Sequence, residues 1–118
     1  MTPTELRLDP SKSRLTVSWE DGRTVEFTAE YLRVHSPSAE VKGHGPGQET
    51  LQVNKEDVTI AAIEPVGHYA VKLVYDDGHN TGLYSWTYLR ELGERQAENW
   101  QRYLDRLEAE GYARKNAE

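Results

Sequence analysis

Apolar and polar residues alternate with a period of two over much of the chain. In RLTVSW, Leu15, Val17 and Trp19 fall on one side of a strand and the polar residues on the other. TELRLD reads as a preceding strand, with Asp9, Pro10 and Ser11 at the turn. WEDGRTVEF predicts a hairpin at Asp21-Gly22, with Val25 and Phe27 continuing the alternation on the return strand. Thr28 then caps a short helical turn, AEYLRVH. Beyond a glycine-rich loop, TLQV reads as a strand and VTIAAIEPVG as a strand running into a turn. YAVKLVYDDGHNTGLYS predicts a second hairpin turning at Asp77-Gly78. Ser85 caps WTYLRELG, which Gly93 can end. In ERQAENWQRYLDRLEAEG the period becomes helical: Ala97, Trp100, Leu104 and Leu107 share a face, and Gly111 stops the helix. The last residues, YARKNAE, read as a frayed tail.

The two hairpins echo each other. WEDGRTVEFTAEYLR and YDDGHNTGLYSWTYLR share an aromatic strand end, an acidic turn, a return strand ending in an aromatic residue, a hydroxyl cap and Tyr-Leu-Arg. The offset is 56 residues at the turns and 57 at Tyr-Leu-Arg, so the second return strand holds one extra residue, as a β-bulge requires. Two hairpin-plus-helical-turn units are too few for a solenoid. The expected fold is a small α+β domain with a mostly antiparallel sheet over residues 4–93, followed by an amphipathic C-terminal helix and tail over 94–118.

At 118 residues the chain suits one domain, and 36% hydrophobic content in periodic groups suits one modest core. A net charge of −6 disfavours nucleic acid as a partner. With no cysteine, disulfides, thiolate nucleophiles and cysteine-ligated metal are excluded. The N-terminal residues have no apolar core and no run is long enough to span a membrane, so the expected location is the cytoplasm.

Candidate chemistry is sparse. Gly43, Gly45 and Gly47 in SPSAEVKGHGPGQ can bring backbone N–H groups toward an anion. The Lys-Ser/Thr pair of a phosphate loop is missing, however, and Pro46 breaks the dinucleotide pattern, so a structural or partner-binding loop is the expectation. His35, His44, His68 and His79 include three in or beside turns, near Glu40, Asp76 and Asp77. Imidazole suits zinc or iron, with His44 and His79 the candidates, but the spacing fits no ligand pattern. Asp76 and Asp77, with Glu20 and Asp21, resemble paired carboxylates, yet Asp before Gly is what a tight turn requires. Tyr84, Trp86, Trp100 and Tyr103 are candidate protein-contact residues. Core packing competes for Trp86 and Trp19, while Trp100 can lie on an exposed stripe with Leu104 and Leu107.

LTVSWEDG, LRVHSPSAEVKGHGPGQ and VTIAAIEPVGHYAVKLVYDDGHNTGLYSWTYLRELG together resemble the bacterial family of unknown function that is similar to the N-terminal domain of gamma-butyrobetaine hydroxylase. The resemblance spans about residues 4–93. It implies a small α+β domain that occurs alone, at the front of gamma-butyrobetaine and trimethyllysine dioxygenases, and at the end of some Mrp-type ATPases carrying iron–sulfur clusters. In the dioxygenases the domain holds structural zinc through C-x-C-x-x-C and a later histidine. Those positions fall on Ser36, Ser38, Val41 and His79, so the resemblance implies a fold without that zinc. Ser36, Ser38, Gly43, Gly45 and Gly47 would then form a structural loop where relatives use metal. The functional expectation is a non-catalytic, protein-binding accessory module, its partner an Mrp-type ATPase or another iron–sulfur assembly factor. A small metal- or ligand-binding protein using His44, His79 and nearby carboxylates is the alternative.

Overall fold

The computed structural model describes residues 1–43 and 47–115. His44 and Gly45 lie outside the described residues, and with them part of the expected metal and loop sets. The elements are β1 (Pro3–Leu8), β2 (Arg14–Trp19), β3 (Thr24–Thr28), α1 (Ala29–Val34), α2 (Ala39–Lys42), β4 (Ile60–Val66), β5 (Ala70–Tyr75), β6 (Leu83–Ser85), α3 (Trp86–Glu94) and α4 (Gln96–Ala109). The strands form two three-stranded antiparallel sheets, β1-β2-β3 and β4-β5-β6, so the fold is α+β with two small sheets.

The repeat is larger than a hairpin and a helical turn. Each unit is three strands and a helix, and local details recur. Gly22 and Gly78 both turn their hairpins at φ +90°. Thr28 and Ser85 both accept the backbone N–H three residues ahead, at 3.0 and 3.1 Å. A register shift falls between Pro3 and Glu5 in β1 and between Ile60 and Ala62 in β4. The extra residue of the second unit is taken up after His79. Tyr75 N–H donates to His79 O, whereas Lys72 then faces Leu83, one place beyond the register that bond begins.

The two units meet reciprocally. Tyr31 Oη donates to Leu92 O (2.7 Å), and its counterpart Tyr88 donates to His35 O (2.6 Å). Arg33 of the first unit pairs with Asp77 of the second (2.9 Å), while Arg90 of the second pairs with Asp21 of the first (2.6 Å). Each guanidinium also lies over the aromatic residue that ends the partner unit's central strand, Tyr75 and Trp19 respectively. Contacts exchanged in this way are those of a two-fold interface, here within one chain. Between the sheets, Leu15, Val17 and Phe27 join Val71, Leu73 and Tyr84 in one buried cluster, closed by Leu32 and Leu89.

Three expectations are corrected. TLQV forms no strand. Leu51 and Val53 instead pack as loop residues against Val34, Tyr103 and Leu107, and Tyr103 Oη fixes the segment by donating to Gln52 O (2.6 Å). Gly93 does not end its helix, which runs to Glu94 and breaks at Arg95. A Cβ at Gly93 would sit 3.4 Å from Phe27 and Val25, so the glycine lets α3 approach β3. The chain after Gly111 is not frayed as far as it is described. Arg114 forks onto buried Glu30 at 2.9 and 2.6 Å and covers Trp100.

Candidate functional site

Ser38 is the N-cap residue that precedes α2, and the loop before it carries Ser36 to His79 of the second hairpin. The tight Asp77-Gly78 turn swings His79 inward, where it is buried. These placements bring together three of the four positions singled out in the sequence. Ser36 Oγ and His79 Nε2 share a hydrogen bond of 2.8 Å, and Ser38 Oγ lies 3.4 Å from the same nitrogen. Ser38 N–H donates to Ser36 Oγ at 3.4 Å. Val41, at the fourth position, is buried. Gly82 presses against the cluster so closely that a Cβ there would stand 2.4 Å from Ser36 Oγ.

Burial lowers the His79 pKa, and Arg33 adds to this, outweighing the opposing pull of Glu40 and Asp77. The ring is therefore neutral at physiological pH and serves as a hydrogen-bonding strut. Two hydroxyls, one imidazole and a valine do not match the donor set of a structural zinc, and the hydroxyls are already satisfied by the ring. His35 lies elsewhere, its ring 4.6 Å from Tyr31, and His68 is exposed in the β4–β5 turn. Among the described residues, no three His, Asp or Glu side chains gather in a way that could hold a metal ion. The Gly43 N–H is used to cap α2 on Ala39 O, not offered to an anion.

A second feature was not read from the sequence. Between α4 and the segment after Gly47 lies a cleft of about 420 Å³. Val34, Val41 and Leu51 contribute apolar wall, Tyr103 and His35 contribute rings, and Lys42, Arg102 and Arg106 contribute charge. Only helical spacing on α4 foreshadowed it: Arg102 and Arg106 are one turn apart.

Comparison with protein families matches residues 6–90 to the family described as gamma-butyrobetaine hydroxylase-like, N-terminal. The chain belongs to that family. It is similar to two proteins solved by NMR in solution. One is 48% identical, with TM-score 0.81, over 96% of this chain and 84% of that one. The other is 42% identical, with TM-score 0.82, over 99% and 92%. A crystal structure of a protein of unknown function from Acidithiobacillus ferrooxidans is 40% identical, with TM-score 0.65, over 78% of this chain and 92% of that one. No curated protein matches.

In this gamma-butyrobetaine hydroxylase-like domain the aromatic candidates face inward. Tyr84 is fully buried, its hydroxyl donating to Leu32 O (2.6 Å) and bonded to Tyr75 Oη (2.8 Å), and so offers no contact surface. Tyr103 is buried apart from the edge it presents to the cleft. Trp86 is half-buried against the core and ties down the β4–β5 turn through Nε1 to His68 O (2.7 Å). Trp100 packs against Tyr31 and Tyr103, and Leu107 is buried, so the supposed exposed stripe of α4 is its packing face.

The outer face of the second sheet carries fewer charged residues than that of the first, with Glu64 and Lys72 ion-paired on it at 3.0 Å. Ala62, Val74 and Leu83 stand where the first sheet has Glu5, Ser18 and Glu26, by the pairing of both ladders, while Ala70, at the position of Arg14, is buried. Leu83, on the short edge strand, is 46% exposed. No helix is long and apolar enough to cross a membrane among the described residues.

Proposed function

We propose that this domain is a non-catalytic accessory module in the cytoplasm that docks onto another protein through the outer face of β4-β5-β6. The observation that carries this reading is the contrast between the two sheets. The first sheet keeps the same fold with polar residues on its outer face, so folding does not require Ala62, Val74 and Leu83 to be apolar. Exposed Leu83, sharing a face with half-buried Ala62 and Val74 and with the Glu64–Lys72 ion pair, offers an apolar contact with polar neighbours, as at a protein interface. The hydrogen-bonded Ser36–Ser38–His79 cluster supports the non-catalytic part, because its reactive atoms face one another inside the protein.

The partner class follows from the company the family keeps: an Mrp-type ATPase or another iron–sulfur assembly factor. Calorimetry with a purified Mrp-type ATPase is the test. Wild type should bind, and Leu83→Glu, which restores the residue type of the first sheet, should weaken binding about tenfold or more with its melting temperature little changed. No binding by wild type would sink the iron–sulfur reading. Equal binding by Leu83→Glu would remove the sheet face as the dock.

A further inference from the structure

We propose that the cleft beside α4 binds a small organic anion, its carboxylate or phosphate held by Lys42, Arg102 and Arg106. This goes beyond the docking reading and is independent of it, since the cleft and the sheet face are different surfaces.

In a chain of net charge −6, nine lysines and arginines form ion pairs among the described residues. Five do not, Lys12, Arg95 and the three of the cleft, Lys42, Arg102 and Arg106, although acidic side chains outnumber basic ones by 20 to 14. The partners of those three are neutral: Lys42 Nζ lies 4.9 Å from the Tyr88 ring centre, Arg102 donates to Asn99 Oδ1 (3.3 Å), and Arg106 donates to Glu49 O (3.3 Å). All three line one cleft, in which Glu49 supplies the single described carboxylate. An anion entering here gains charge-assisted hydrogen bonds without displacing an existing salt bridge. His35, on the same cleft, registers the field. Its pKa is lowered, first by burial and then by Lys42 and Arg102, so the ring is neutral and can accept as well as donate.

Shape sets the class of ligand. A volume of about 420 Å³ lies in the range of small-molecule sites. The apolar wall of Val34, Val41 and Leu51 lies beside the cations, which suits a molecule with an anionic head and a short apolar body. Tyr103 cannot swing away from the floor, because its hydroxyl is committed to Gln52 O.

The test is titration of the full-length ¹⁵N-labelled protein with hexanoate, inorganic phosphate and hexylammonium, read by amide and imidazole NMR signals. Hexanoate and phosphate should give saturable shifts at Asn99, Tyr103 and the His35 ring. Hexanoate should bind the tighter of the two if a carboxylate with an apolar body is the natural class, and phosphate the tighter if a phosphate head is. Hexylammonium should give none. Arg102→Glu combined with Arg106→Glu alters only exposed side chains and should weaken binding about tenfold or more while keeping the fold. Non-saturating shifts spread over the surface, equal shifts with hexylammonium, or unchanged binding in the double variant would each overturn the proposal.

Discussion

Gly43 shows how much one position in the Ser36–Gln48 loop is asked to do. Its φ is +71°, where a side chain is strained, and a Cβ would stand 2.2 Å from Gln48 O. Gly47 has φ +82° with open space around it. Gly43→Ala should therefore lower stability by about 2 kcal/mol or more, and Gly47→Ala by about 1 kcal/mol, measured by urea unfolding. Equal effects would mean that the loop shifts to relieve the Gly43 contact. The glycines were legible as turn formers from composition alone. Which of them is pinned by a neighbouring carbonyl was not, because Gln48 approaches only when the chain after α2 folds back.

Helices α1 and α3 are too short to be stable on their own, and each is held by the other's unit. The hydroxyls of Tyr31 and Tyr88 satisfy carbonyls at the far helix end, Leu92 and His35, at 2.7 and 2.6 Å. Tyr31→Phe and Tyr88→Phe should each cost about 1–2 kcal/mol in chemical denaturation, since each strands a shielded carbonyl. If neither variant loses stability, water reaches those carbonyls and the reciprocal contact is incidental. The caps Thr28 and Ser85 were readable from sequence because an N-cap acts within three residues. The tyrosine bonds were not, since their partners lie 61 and 53 residues away.

For the molecule as a whole, the crossed pairs Arg33–Asp77 and Arg90–Asp21 tie the two units together and link stability to pH. Burial alone would raise the Asp77 pKa, but hydrogen bonds from Lys55, the His79 N–H and Arg33 outweigh it and hold it at about 2. Arg90, with the Arg23 N–H, holds Asp21 at about 2. His35 and His79 are lowered chiefly by burial. At all four groups the unfolded chain binds protons more tightly than the folded one, so stability must fall as pH falls. The histidine part should disappear below about pH 6.5, and the aspartate part between about pH 4 and 2. Urea midpoints measured across that range should show both declines. A flat profile through the histidine range would show that His35 and His79 titrate as they do in the unfolded chain.

What the sequence determined by itself was local: strand alternation, Asp-Gly turns, hydroxyl caps, the helical face of α4, and a duplicated pattern with one extra residue. Each of these depends on neighbours within a few positions, so order along the chain suffices. The meeting of Ser36 and Ser38 with His79 came from the family resemblance, not from spacing, because those residues are some forty positions apart. Only the tertiary structure decided that Tyr84 and Tyr103 turn inward, that Leu83 is left exposed where the first sheet has Glu26, and that three cations line one cleft. Those outcomes depend on how the two units dock and on where α4 lies against them. Burial is a property of that packing, and strand or helix periodicity says which residues share a face without saying what covers it.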